Sequence, residues 1–172
     1  MVTTARALGR LFDIGSQIVP VDSQTGAMTG HRINMANYQG VTFVVFKAAG
    51  TANDDPVLDL QEHDASSGGN SQDLDIVTDY YIKQEATLDN DETWTKVTQA
   101  AASEVTLNGT SAETQMIVAI DVAAEQMSPG FNYLSLNIAD TGSAGAQLIS
   151  CLCIPWGLKV QRAPENMAAI LS

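Results

Sequence analysis

Three groups of residues carry side chains of the kind that chemistry uses. His63 stands between Glu62 and Asp64, a histidine with carboxylate neighbours as a general base would have. Neighbours in an extended segment point to opposite faces, however. With no nucleophile beside it and the other histidine distant at His31, His63 reads as a surface residue. The turn Asp89-Asn-Asp-Glu92 and the set Asp73, Asp75 and Asp79 could offer oxygen ligands to calcium, but they lack the spacing and the glycine of a calcium loop. A solvated acidic face is expected there, with no metal. Cys151 and Cys153 would share one face of a strand, too close in sequence for an unstrained disulfide and without a histidine to complete a metal site. They read as small buried apolar residues. Trp94 and Trp156 are the aromatics left over for sugar binding, and both read as core or interface residues instead. No phosphate-binding glycine loop, nucleophile elbow, H-E-x-x-H or paired C-x-x-C occurs. No catalytic residue and no cofactor is expected.

The charge layout says more than the motifs. Of 172 residues, 20 are acidic and 8 basic, and the formal net charge is −12. Twelve of the acids (Asp54, Asp55, Asp59, Glu62, Asp64, Asp73, Asp75, Asp79, Glu85, Asp89, Asp91 and Glu92) fall between residues 54 and 92 against the single basic Lys83. Between them stand Val57, Leu58, Leu60, Leu74, Ile76, Val77, Tyr80, Tyr81 and Ile82, side chains that favour a sheet. The acids therefore belong to the surface of a folded β layer, which repels nucleic acid and anionic lipid and suits a basic protein partner or simple solubility. No run of about eighteen apolar residues is present, so no membrane span is expected. No apolar core follows Arg6 and Arg10, which argues against a secretory signal and for synthesis in a cytosol.

The elements that must carry these residues are strands. Val41 to Lys47 is apolar on both faces, the pattern of a central strand buried on two sides. Val57 to His63 mixes apolar and acidic residues like a strand with one wet face, and Ser66 to Asn70 is a loop. Asp73 to Gln84 alternates over its whole length and reads as one long strand, core on one face and acidic on the other. Thr93 to Thr98 reads as an edge or surface strand, and Glu104 to Asn108 as a strand closed by the Asn108–Gly109 turn. Glu113 to Ala124, Phe131 to Ile138 and Gln147 to Ile154 continue the series, with Pro155 and Gly157 marking a bend or an edge before Leu158 to Arg162. Roughly eight to ten short strands separated by turns predict an all-β chain, an antiparallel β-sandwich of jelly-roll-like or Greek-key type, in one domain over 1–172.

Two segments lie outside that pattern, an amino-terminal arm at 1–14 and a tail at 163–172. Leu8, Leu11 and Phe12 share a face at helical spacing, with Arg6 and Arg10 opposite. Arg6, Leu8, Arg10, Leu11 and Phe12 are the candidate partner-binding residues. The tail from Pro164 to Leu171 starts like a short helix, with a proline and an acid ahead of an apolar stripe.

The phrases Val41-Thr-Phe-Val-Val-Phe-Lys-Ala-Ala-Gly-Thr-Ala-Asn-Asp-Asp-Pro-Val-Leu-Asp-Leu-Gln-Glu, Tyr80-Tyr-Ile-Lys-Gln and Thr93-Trp-Thr-Lys-Val resemble the small β-rich structural proteins that tailed bacteriophages encode near the major capsid gene. Phe131 to Ile138 and Leu158 to Met167 are similar in style, so the resemblance runs from about residue 8 to 170. It implies a capsid decoration, or cement, protein: a β-sandwich, usually a homotrimer, that is made in the host cytoplasm and sits on the outer capsid surface of the virion. Its partners would be the major capsid protein and copies of itself, with neither nucleic acid nor membrane, and it would bridge capsomers without catalytic residues. Another phage structural subunit, of the tail tube or of head completion, and a carbohydrate-binding module are the alternatives.

Overall fold

The computed structural model describes residues 6–107, 113–142 and 145–171. Eleven strands are formed among them: β1 Gly15–Asp22, β2 Ile33–Asn34, β3 Gly40–Lys47, β4 Val57–His63, β5 Ser71–Asp73, β6 Val77–Glu85, β7 Thr95–Ala102, β8 Glu104–Thr106, β9 Gln115–Ala123, β10 Tyr133–Ile138 and β11 Leu148–Trp156. They build two antiparallel sheets. The six-stranded sheet has the order β1-β11-β3-β9-β6-β7, and the five-stranded sheet runs β2-β10-β4-β5 with β8 also on β4.

The pairing is nested. The first strand pairs with the last, β2 with β10, β3 with β9 and β4 with β8, and successive pairs alternate between the sheets. That is the jelly-roll way of wrapping one long antiparallel hairpin into two layers. The segment β5 to β7 is inserted at the hairpin's centre, where β5 widens the five-stranded sheet and β6 and β7 widen the other.

The core lies between the layers. From the six-stranded sheet come Val41, Phe43, Val45, Met116, Val118, Ile120, Val122, Ile149, Cys151 and Cys153; from the other come Ile33, Leu58, Leu60, Val105, Leu134, Leu136 and Ile138. Each set follows the period-two alternation of its strand, since only every second side chain can face the opposite layer. Both cysteines are free and buried in this core, as their types and spacing predict. Among the described residues no helix is long and apolar enough to cross a membrane.

Several expectations change. Asp73 to Gln84 is not one strand: the chain leaves the five-stranded sheet after Asp73 and enters the other at Val77. Leu74 is still tied to the first by its N–H to the Leu60 carbonyl, at 3.0 Å. Val77 takes the buried place and Thr78 is exposed, the reverse of the parity that a single strand needs. Strand β3 is central but covered on one face; Phe46, on the other, is 53% exposed. The stretch Leu158 to Arg162 is irregular.

Neither terminal stripe is helical. Gly9, at φ +77°, closes a single turn in which the Ala7 carbonyl accepts from the Arg10 and Leu11 N–H groups. The tail forms one 3-10 turn, Pro164–Asn166. Strand β1, which sequence periodicity did not suggest, pairs with β11 through two register shifts. The Asn108–Gly109 turn lies outside the described residues.

Candidate interaction surface

The two outer faces of the sandwich differ in kind. On the five-stranded sheet, the side chains that alternate with the core residues of β4 and β10 are Asp59, Gln61 and His63, and Tyr133, Ser135 and Asn137. Asp73 pairs opposite Gln61 and Glu104 opposite Asp59. This face is polar and acidic. Burial first, and then the charge of Asp73, push the Asp59 carboxyl above the ordinary carboxylate range.

His63 belongs to this face but is not a surface residue, which corrects the sequence reading. Its Nδ1 lies 2.7 Å from Ser71 Oγ and its Nε2 2.9 Å from Ser135 Oγ, so one ring laces β4 to β5 and β10. Arg32 reaches across, donating to the Gly68 carbonyl at 2.7 Å. Burial and the Arg32 guanidinium hold the imidazole below its usual pKa. A serine beside a histidine is the pairing that a nucleophile needs, but here serines occupy both ring nitrogens and no carboxylate orients the ring. The adjacent Glu62 points the other way, into the molecule, and accepts from Gln72 Nε2 at 2.6 Å and the Ser128 N–H at 2.8 Å.

The candidate calcium ligands divide. Asp73, Asp75 and Asp79 are separated: Asp73 is on β5, Asp75 accepts from the Ser103 N–H at 2.9 Å, and Asp79 is ion-paired with Lys96 at 2.8 Å. At the end of β6 and in the loop that follows, by contrast, Glu85, Asp89, Asp91 and Glu92 bring carboxylate oxygens within 4.8 Å of one another. Their mutual repulsion, led by Asp91, raises the Glu85 carboxyl, and Glu92 braces the turn by accepting from the Asp89 and Asn90 N–H groups.

The outer face of the six-stranded sheet carries an apolar patch on β1, β11 and β3, while β6 and β7 bring Asp79, Lys83, Glu85 and Lys96 to the same side. Val19 on β1, Leu148 and Leu152 on β11 and Phe46 on β3 are 60%, 57%, 46% and 53% exposed. Val44 and Ile154, half-buried, lie among them, and half-buried Ile117 on β9 stands opposite Phe46. A groove of about 400 Å³ opens beside Phe46, lined by Pro20, Ala48, Gln115 and Leu148.

Beneath that groove Lys47 is buried, its Nζ donating to the Ala48 and Thr114 carbonyls at 2.9 and 2.7 Å. Oriented by its neighbours, the Gln147 amide accepts from the same Nζ at 3.2 Å and donates to the Asp54 carbonyl at 3.0 Å. Burial depresses the ammonium pKa to about 8.

The segment Leu8 to Phe12, which holds four of the five predicted partner-binding residues, lies along the strand β11 and the segment after it. Phe12 bridges to Trp156, the Gly157 N–H donates to the Leu11 carbonyl at 3.3 Å, and the Arg162 N–H donates to the Gly9 carbonyl at 3.0 Å. Leu8, Arg10 and Phe12 are half-buried; Arg6 is exposed, and so is Leu11, at 65%. Trp156 is half-buried with its ring over Gly40, and Trp94 is half-exposed beneath Lys83, whose Nζ lies 5.3 Å from the ring centroid.

The apolar patch itself was not among the predicted site residues. Its signal was the two-sided apolar pattern of Val41 to Lys47, read as evidence of burial on both faces. Comparison with protein families, with curated proteins and with solved structures finds no match to this chain.

Proposed function

We propose that this chain is a structural subunit that decorates and stabilises the outside of a tailed-phage capsid by bridging neighbouring capsomers, with the major capsid protein as its partner. The observation that carries this reading is the division of the sandwich into one outer face with an apolar patch and one polar, acidic outer face. A bridging subunit needs a surface through which subunits associate and a surface that keeps it soluble. A chain at −12 is repelled by packaged DNA, which favours the exterior. The resemblance of the strand phrases to phage structural proteins supports the same reading, and with it synthesis in a bacterial cytoplasm. The exposed Leu11 and Arg6 of the arm offer the contact to the capsid protein.

The test is made on particles. Purified virions should carry the chain outside the shell in fixed ratio to a capsid protein, and particles lacking it should assemble but lose DNA at lower temperature or on osmotic shock. Shells that fail to form without it would indicate a scaffold or a major shell role. Absence of the chain from purified particles would remove the reading altogether.

A further inference from the structure

We infer that the open face of the six-stranded sheet, across β1, β11, β3 and β9, is covered by a second copy of this chain, the two sheets packing face to face. The first ground is a conflict between sequence and monomer. Strand β3 is written as a strand buried on two sides, and β11 likewise sets Leu148, Leu152 and Ile154 opposite Ile149, Cys151 and Cys153. The monomer supplies one cover and the pattern calls for two. A contiguous exposed apolar patch on a folded surface marks an interaction site.

The second ground selects the occupant. Two molecules at −12 repel one another wherever their acids meet. Along the outer side of these four strands the acidic side chains are Asp22 and Asp121, on strands at opposite sides of the patch, and both are already engaged. Asp22 accepts from the Gln24 and Gln147 N–H groups, and Asp121 from the Thr42 hydroxyl. Farther along the sheet Asp79 is held by Lys96. On the next strand, β6, Glu85 stands opposite Gln115, with Asp89, Asp91 and Glu92 gathered about it at one corner of the patch; the remaining acids lie elsewhere, so over most of its breadth this is the face by which the chain meets its own copy with least repulsion. A foreign partner chosen by charge would be drawn to the acidic face instead.

The third ground is size. Strands of eight or nine residues, at roughly 3.3 Å per residue and 4.8 Å between strands, cover about 500 Å² per copy and about 1,000 Å² in a pair, enough for a specific though not a permanent contact. Sheets stack face to face with interdigitated apolar side chains, the geometry already used inside the sandwich. The inference stands whether or not the chain decorates a shell.

The experiment is sedimentation velocity on the full chain over a micromolar concentration series. The chain should form dimers, and Phe46→Glu with Leu152→Glu should weaken them by about 100-fold or more. The neutral pair Phe46→Ser with Leu152→Ser should do the same, and Gln61→Glu on the opposite face should leave them intact. A chain monomeric throughout, or an oligomer, trimer included, that persists in both double variants, overturns the inference. Should the double variants fail to fold, Ser150→Cys decides: it places a thiol amid the patch, and oxidation should yield a covalent dimer across the face, whose absence overturns the inference equally.

Discussion

The two outer faces solve the problem of a half-covered sheet in opposite ways. On the five-stranded sheet the side chains that point away from the core are polar, and they are bonded to one another: His63 to two serines, Gln61 to Asp73 at 3.2 Å, and Asn137 to the Gly30 N–H at 3.0 Å. On the six-stranded sheet the same positions hold Val19, Val44, Phe46, Leu148 and Leu152, which touch water and satisfy nothing. An antiparallel sheet with one solvated face alternates apolar and polar residues, and β4 and β10 obey that rule where β3 and β11 break it. Where the fold alone sets the sequence, alternation follows; where it fails on two neighbouring strands, a second surface is implied.

The sharpest way to break the comparison uses one strand. Phe43 and Phe46 sit on opposite faces of β3. Phe43→Ala should cost about 3–5 kcal/mol through the cavity it leaves. Phe46→Ala should change the stability of the monomer by no more than about 0.5 kcal/mol. Chemical denaturation of both variants at low concentration checks this, and equal losses would mean that the outer face is part of the fold.

A middle-sized effect concerns the polar face. The folded pKa of His63 lies below its unfolded value of about 6.5, so as pH falls through that value the unfolded chain takes up the proton first. Stability should therefore decline from about pH 6.5 downward until the folded pKa is passed. His63→Gln should flatten that slope in thermal melts while lowering the plateau, because the two serines lose their partner.

The smallest effect is at Asp59. Its raised carboxyl makes the ionised form a burden at neutral pH, a cost relieved as pH falls through the folded value. Asp59→Asn should raise stability at pH 7 by a few tenths of a kcal/mol, the side chain being half-exposed. The gain should vanish in acid. A gain of the same size at all pH values would show that charge is not its cause.

How much of this was legible depended on whether local pattern and tertiary role agreed. Strands β4, β9, β10 and β11 were readable because alternation, β-branched residues and turn chemistry coincide there. The buried pair Cys151 and Cys153 followed from the same parity. Strand β1 was not, because Pro20 and the two register shifts against β11 disturb the period. The passage from β5 to β6 hid behind Leu74, Ile76, Tyr80 and Ile82, which keep one parity while the chain changes sheets. His63 looked exposed because its partners, Ser71 and Ser135, come from strands that the sequence does not place beside it. The apolar patch was visible in the residues of β3, but alternation cannot tell a second layer of the same molecule from a surface left open.

The nested pairing also sets an order in time. Asp22 accepts a hydrogen bond from Gln147, 125 residues away, and the hydrophobic β11 forms the seam between β1 and β3. The six-stranded sheet therefore cannot close until β11, Leu148–Trp156, has left the ribosome. Until then β1 and β3 wait with their apolar edges unpaired. Such non-local topologies fold in milliseconds to seconds rather than microseconds, and the chain passes that interval with both faces of β3 exposed, so that the acids of residues 54–92, which emerge directly after β3, are what keep it from aggregating.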